Sequence, residues 1–171
     1  TVQTMLTGAP LFRHIAFLPT PLLARLLSHF RESFPLHLAD FLYNPENIEP
    51  MAARRMLRKV VSPLSRGEIK HFASLEHDGV FRSADGERDY AAAMRDVDLP
   101  ILFLAGRADR IAAPDRVWSF YDDLGTERKA FEVLSVANGC GANYGHLDFG
   151  VGDDVEEEVF PRIIQWFRQY P

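Results

Sequence analysis

The chain has 171 residues, 47% of them hydrophobic and 25% charged, with a formal net charge of -5 from 24 acidic and 19 basic side chains. This is the composition of one globular domain large enough to bury a core. The acidic balance gives no sequence-independent attraction to a phosphate backbone, so nucleic acid is not an expected partner.

The opening residues, Thr1-Val2-Gln3-Thr4, show neither an initiator Met nor the basic and apolar regions of a signal peptide, and the chain is expected to continue a longer polypeptide. Arg13, Pro19, Pro21 and Arg25 interrupt the most apolar stretch, so no run reaches the roughly 20 residues of a membrane-spanning helix. Within residues 21–34, Leu22, Leu23, Leu26, Leu27 and Phe30 form one helical stripe, stopped by Pro35. Such a stripe suits packing on a sheet or lining an acyl pocket, and spacing does not separate the two. Pro50 suits a first helical turn, and a second helix is expected over 51–61 until Pro63 breaks it. Its Arg54, Arg55, Arg58 and Lys59 read as a solvated basic face before they read as a site for an anionic substrate or lipid surface.

Ser65 with Glu68 three residues on forms a capping box, opening a third helix through Ile69, Phe72 and Leu75 to Gly79. Glu68 and His71 share a face with the spacing of a carboxylate-bridged metal site. Such sites need a second copy and two further carboxylates, so a solvated face is the better reading even with His77 nearby. Residues 87–97 suggest a fourth, shorter helix.

Near residue 96 the character changes. Ile101-Leu102-Phe103-Leu104-Ala105, closed by Gly106, is an uninterrupted apolar run such as a strand buried on both faces would have, which implies an α/β fold with a parallel sheet covered by helices. Pro114 begins a helix with Val117, Trp118 and Tyr121 on one side and Gly125 just past its end. Residues 129–136 form the next strand. Residues 138–152 hold five glycines, too many for a regular element and suited to a loop with tight turns. Cys140 lies here. As the single cysteine it rules out an internal disulfide framework and is compatible with a reducing compartment, so cytoplasm is the favoured location. A last helix opens with Asp153, Asp154, Glu156, Glu157 and Glu158 and closes near Arg162 and Arg168, matching the helix dipole, with Pro161 marking a kink or a restart.

Strand, helix, strand and helix in this order make a βαβ unit whose strands point the same way, so the loops after them lie on one edge of the sheet. Neighbouring strands are about 4.8 Å apart, which brings side chains on those loops within hydrogen-bonding reach. Asp109 and His146 occupy the two loops. A carboxylate there fixes the tautomer of the imidazole while the other ring nitrogen takes a proton from a hydroxyl nucleophile. On spacing alone Asp109 is equally well a turn residue and His146 a loop residue.

The segment 99–114, with Gly106-Arg107-Ala108-Asp109 after its apolar run, resembles the acid-bearing strand and loop of α/β-hydrolases. Tyr144-Gly145-His146-Leu147-Asp148-Phe149-Gly150 and the residues on to Ile164 are similar to the histidine loop and terminal helix of the acid-lipase-like branch and its bacterial relatives. The resemblance covers roughly the last 75 positions. It implies that residues 1–10 end a core strand, that 11–95 are a helical lid, and that 96–171 are the C-terminal part of the α/β-hydrolase core. It also implies catalytic roles for Asp109 as triad acid and His146 as base, with no metal or organic cofactor.

The family's serine sits on a Gly-x-Ser-x-Gly elbow ahead of the acid and the histidine, and this chain has no such pentapeptide. Ser62, Ser65 and Ser74 fall in the lid and Ser119 in the helix after Asp109. Cys140 lies on the wrong side of the acid in chain order and reads as a small buried hydrophobe. The expected function is a carboxylic ester hydrolase or lipase of the serine-hydrolase type, acting on a small-molecule ester or lipid. This chain would supply acid and base, and an N-terminal half, separate or cleaved, would carry the nucleophilic Ser. The competing expectation is a non-catalytic hydrolase-like fragment that binds a partner along an open sheet edge.

Overall fold

A computed structural model of the chain describes residues 17–18, 21–22, 39–59 and 62–171. The elements run β1 (Phe17–Leu18), α1 (Ala39–Leu42), α2 (Pro50–Lys59), β2 (Leu64–Ser65), α3 (Arg66–Asp78) and α4 (Tyr90–Ala93), the last continued by a 3-10 turn at Met94–Asp96. Next come β3 (Ile101–Gly106), α5 (Pro114–Asp123), β4 (Lys129–Leu134), a 3-10 turn at Val136–Asn138, α6 (Asp148–Val151), α7 (Val155–Glu158) and α8 (Phe160–Gln169). The protein thus mixes helix and strand and contains a small parallel sheet. Two compact units divide it, one drawn from Thr1–Glu32 and Leu57–Ala91, the other from Ser33–Met56 and Ala92–Pro171. The strand end expected within residues 1–10 and, beyond Pro21 and Leu22, the helix expected over 21–34 lie outside the described residues.

In the first unit, β1 and β2 pair antiparallel, Phe17 opposite Ser65 and Leu18 opposite Leu64. The capping box forms as the sequence predicts: the Glu68 amide donates to the Ser65 hydroxyl at 3.2 Å and the Ser65 amide to the Glu68 carboxylate at 2.7 Å. Hydrogen bonding of the Glu68 carboxyl to the Ser65 side chain, and next to the Ser65 amide, holds that carboxyl below its ordinary range. Gly79 ends α3 in the left-handed conformation at φ 65°, which glycine adopts without a Cβ penalty. The helix expected over 87–97 forms but begins late, at Tyr90. An Arg82 to Asp89 bridge occupies its start, because Gly86 at φ 79° turns the chain, the Ser83 hydroxyl takes the Arg88 amide, and Asp85 takes the Glu87 amide. Helical bonding begins only at Tyr90 and tightens into the 3-10 turn after Ala93.

In the second unit, β3 and β4 are parallel and in register from Ile101 opposite Lys129 to Gly106 opposite Leu134. Alternation along the strands sends Phe103 and Phe131 to one face and Leu104 and Leu134 to the other. Against the first face, α5 packs Trp118 and Tyr121, whose rings lie 5.0 and 5.7 Å from that of Phe131. The second face joins a core of Leu134, Cys140, Tyr144, Val155 and Val159, with Leu104, Phe149 and Ile163 packed against it. Lys129 donates to the carbonyls of Tyr121 and Leu124 at 2.8 and 2.9 Å, placing a cation at the C-terminal end of α5, where the helix dipole favours it.

The last helix is split. Pro161 has no amide to donate to the preceding turn, so the path breaks at Val159 and restarts as α8. The glycine-rich stretch 138–152 is more regular than expected, since α6 forms one helical turn inside it, and β4 ends at Leu134, two residues early. No helix among the described residues is long and apolar enough to cross a membrane.

Candidate active site

The strand ends bring the two loops together through main-chain bonds. Arg107 donates to the Leu134 carbonyl at 3.1 Å, extending the ladder one step past β3, and Asp109 donates back to Gly106 at 3.1 Å, closing a tight turn. Ala108 donates to the Tyr144 carbonyl at 2.9 Å, crossing directly from the acid loop to the histidine loop. Both segments are anchored from β3 and β4, so their spacing follows from the sheet.

Asp109 is buried, with only 6% of its surface exposed. Its Oδ1 accepts from the amides of Ile111 and Ala112, both at 2.8 Å, which fixes the rotation of the carboxylate. Its Oδ2 faces His146 Nδ1 at 2.9 Å. A carboxylate only accepts, so this contact places a proton on Nδ1, and in the neutral imidazole the lone pair is then on Nε2. The His146 ring is half-exposed, and no described residue bonds to its Nε2. The carboxylate therefore orients the imidazole, with its second nitrogen unbonded among the described residues.

Asp148, two residues beyond the histidine, is fully buried and was not singled out in the sequence. Its Oδ1 accepts from the Asn44 amide at 3.1 Å, and its Oδ2 from Gly145 at 2.8 Å and from Asn47 Nδ2 at 2.9 Å. Burial, partly opposed by these three bonds and reinforced by the Asp109 charge, pushes its carboxyl above the usual aspartate value. Its place in the histidine motif was visible in the sequence. Asn44 and Asn47, about a hundred positions earlier, gave no local signal.

Glu158 ties the same loop to α7, accepting from the Gly141 amide at 2.7 Å and the Tyr144 hydroxyl at 2.8 Å. Burial, with Glu158 adding to it, pushes the Tyr144 phenol well above its ordinary value. Cys140 sits in the core, where burial raises its thiol pKa and so disfavours the thiolate that a nucleophile requires.

The serines weighed from sequence are otherwise engaged. Ser65 caps α3, and the hydroxyls of Ser74 and Ser119 bond to carbonyls of the preceding turn, of His71 and Asp115. No non-glycine residue among those described has a positive φ, and none shows the strained backbone of a nucleophile elbow. The side chains considered for a metal are also committed, His71 to the Arg82 carbonyl at 2.9 Å and Glu68 to its cap. Among the described residues no group of three or more His, Cys, Asp and Glu could hold a metal ion.

No protein-family model matches the chain, nor does any curated protein or any solved structure.

Proposed function

We propose that this chain is the C-terminal part of an α/β-hydrolase-type carboxylic ester hydrolase or lipase. In this reading it contributes Asp109 as triad acid and His146 as base, while a separate segment or partner chain contributes the serine and oxyanion donors. The observation that carries it is the 2.9 Å contact of His146 Nδ1 with a buried carboxylate whose other oxygen is held by two amides, with Nε2 unbonded among the described residues. Nε2 would take the serine proton as the serine oxygen attacks the ester carbonyl, then pass it to the departing alcohol. Water, deprotonated by the same nitrogen, would release the acid from the acyl-enzyme. The crossover from β3 to β4 supports the reading by putting both residues beyond the carboxyl ends of parallel strands, where α/β proteins bind ligands.

The test is to isolate the protein from its natural source and treat it with a fluorophosphonate probe before denaturing electrophoresis and intact-mass measurement. A labelled serine outside this sequence, on the same longer polypeptide or on a companion one, with ester hydrolysis lost in His146→Ala, is the expected result. A lone 19.4 kDa species that neither labels nor hydrolyses esters would overturn it.

One observation favours a second reading, a non-catalytic binding module. Ile101 donates to Arg128 and Arg107 to Leu134, so odd-numbered positions of β3 face β4. The main-chain groups of Leu102 and Leu104 therefore point to the opposite edge, where no described strand pairs. Such an edge can accept a strand from another chain. A stable complex with a partner lacking any reactive serine would favour this reading over the first.

A further inference from the structure

The histidine loop is held from two sides, and only one of them is the acid. On the other side stands the arm formed by α1 and the turn that follows it. Leu147 donates to the Leu42 carbonyl at 2.8 Å, Asn44 Nδ2 donates to the Asn143 carbonyl at 2.7 Å, and Asp153 donates to the Asn47 carbonyl at 2.9 Å. Gly145 fits so tightly against this arm that a Cβ would lie 2.5 Å from the Asn44 nitrogen. The arm reaches the acid loop as well, since Arg110, next to Asp109, lies 5.7 Å from the ring centre of Phe41.

Asp148 stands where these ties converge. One carboxylate oxygen closes the turn around the histidine through Gly145 and simultaneously takes the Asn47 side chain, while the other takes the Asn44 amide. Three donors from two segments thus meet on one fully buried acceptor. A buried group of this kind has few alternative partners, so the turn bearing His146 is fixed relative to the arm.

We infer that Asp148 is a positioning residue for His146, locking the histidine turn to the Phe41–Asn47 arm so that the imidazole meets Asp109 through Nδ1. This rests on the reading of Asp109 and His146 as a proton-transfer pair and adds a third carboxyl group that acts through the histidine without touching a reacting atom. It also gives the arm a role: it sets the base as well as packing against it.

Substituting Asp148→Asn keeps the volume. It cannot supply an acceptor to all three donors, because its amide nitrogen confronts either Asn44 or the pair formed by Gly145 and Asn47. The readout is the ring nitrogen spectrum of His146 in protein labelled with 15N-histidine, recorded beside the backbone amide signals of β3 and β4. The parent is expected to show a proton on Nδ1 and a pyridine-type Nε2. In Asp148→Asn the Nδ1 proton coupling should be lost and the Nε2-protonated tautomer should appear, with the strand amides unmoved. Asn47→Ala, which removes one donor and leaves the Gly145 bond, should shift the ring signals in the same direction by a smaller amount.

Ring signals that superpose on the parent in both variants would overturn the inference. If Asp148→Asn does not fold, Asn47→Ala decides alone. A parent ring without tautomer preference would remove the Asp109–His146 pair itself, and the inference with it. Altered ring signals in a protein that never hydrolyses esters would sustain the positioning role and reject the hydrolase reading.

Discussion

Gly106 and Tyr144 meet main chain to main chain, so closely that a Cβ on the glycine would stand 2.3 Å from the tyrosine carbonyl oxygen and 2.9 Å from its carbon. The same carbonyl accepts the Ala108 amide, so the approach that excludes a side chain is also the one that joins the acid and histidine loops. Gly106→Ala must push two anchored backbones apart, and overpacking of this kind costs about 3 kcal/mol. The expected outcome is a lowered urea midpoint with an unchanged m-value; an unaltered midpoint would show that the loops can separate freely.

Asp109→Asn tests the polarity of the pair. The asparagine oxygen can still accept from Ile111 and Ala112, so the loop should keep its shape while an amide donor now faces His146 Nδ1. The ring would then be held with its proton on Nε2, the wrong tautomer for a base. In the proposed complete enzyme turnover should fall by about 10⁴-fold, measured on a chromogenic ester. Near-normal turnover would remove Asp109 from the acid role.

The raised carboxyl of Asp148 has a defined consequence for stability. The native state binds its proton more tightly than the unfolded chain, whose ordinary aspartate value is 3.8. The stabilising contribution of this group is therefore fully present below that value and is lost as pH rises through the higher native one. Unfolding free energies of the parent and Asp148→Asn, measured by urea titration across that window, should differ by an amount that moves against the parent as pH increases. A constant difference would contradict the shift.

Ser65→Ala should remove both halves of the capping box, because the helix amide loses its hydroxyl and the Glu68 side chain loses the geometry that brings it back to the Ser65 amide. Loss of such a cap costs about 1 kcal/mol. Faster amide exchange in the first turn of α3 would register it, while exchange in β3 and β4 should stay unchanged.

How far the sequence could be read depended on the range of the interactions involved. Ser65 and Glu68 recognise each other across one helical turn, Pro114 starts α5 through its own ring, and the apolar run from Ile101 forms β3, although its side chains are only partly buried up to Leu104. The helix expected over 87–97 starts three residues late, at Tyr90, because the Ser83 amide donates to the Arg88 carbonyl and the Arg82–Asp89 bridge holds the start extended, a pairing that apolar periodicity does not register. The arm that holds the histidine turn was read only as part of a helical region. Its decisive groups are two asparagine positions and a main-chain carbonyl, none of which carries a pattern.

Local pattern is enough to set the order of strand and helix from β3 to β4, and with it the placement of Asp109 and His146 on adjacent loops. Parallel connection and strand spacing suffice for that, because both are properties of the backbone. That Oδ2 of Asp109 meets Nδ1 of the histidine, and that Asp148 ties the same turn to the arm, follows from packing and has no local signature. Those choices depend on which donors converge on which oxygen across 37 to 104 positions of chain, and burial of this kind is created only when the segments pack.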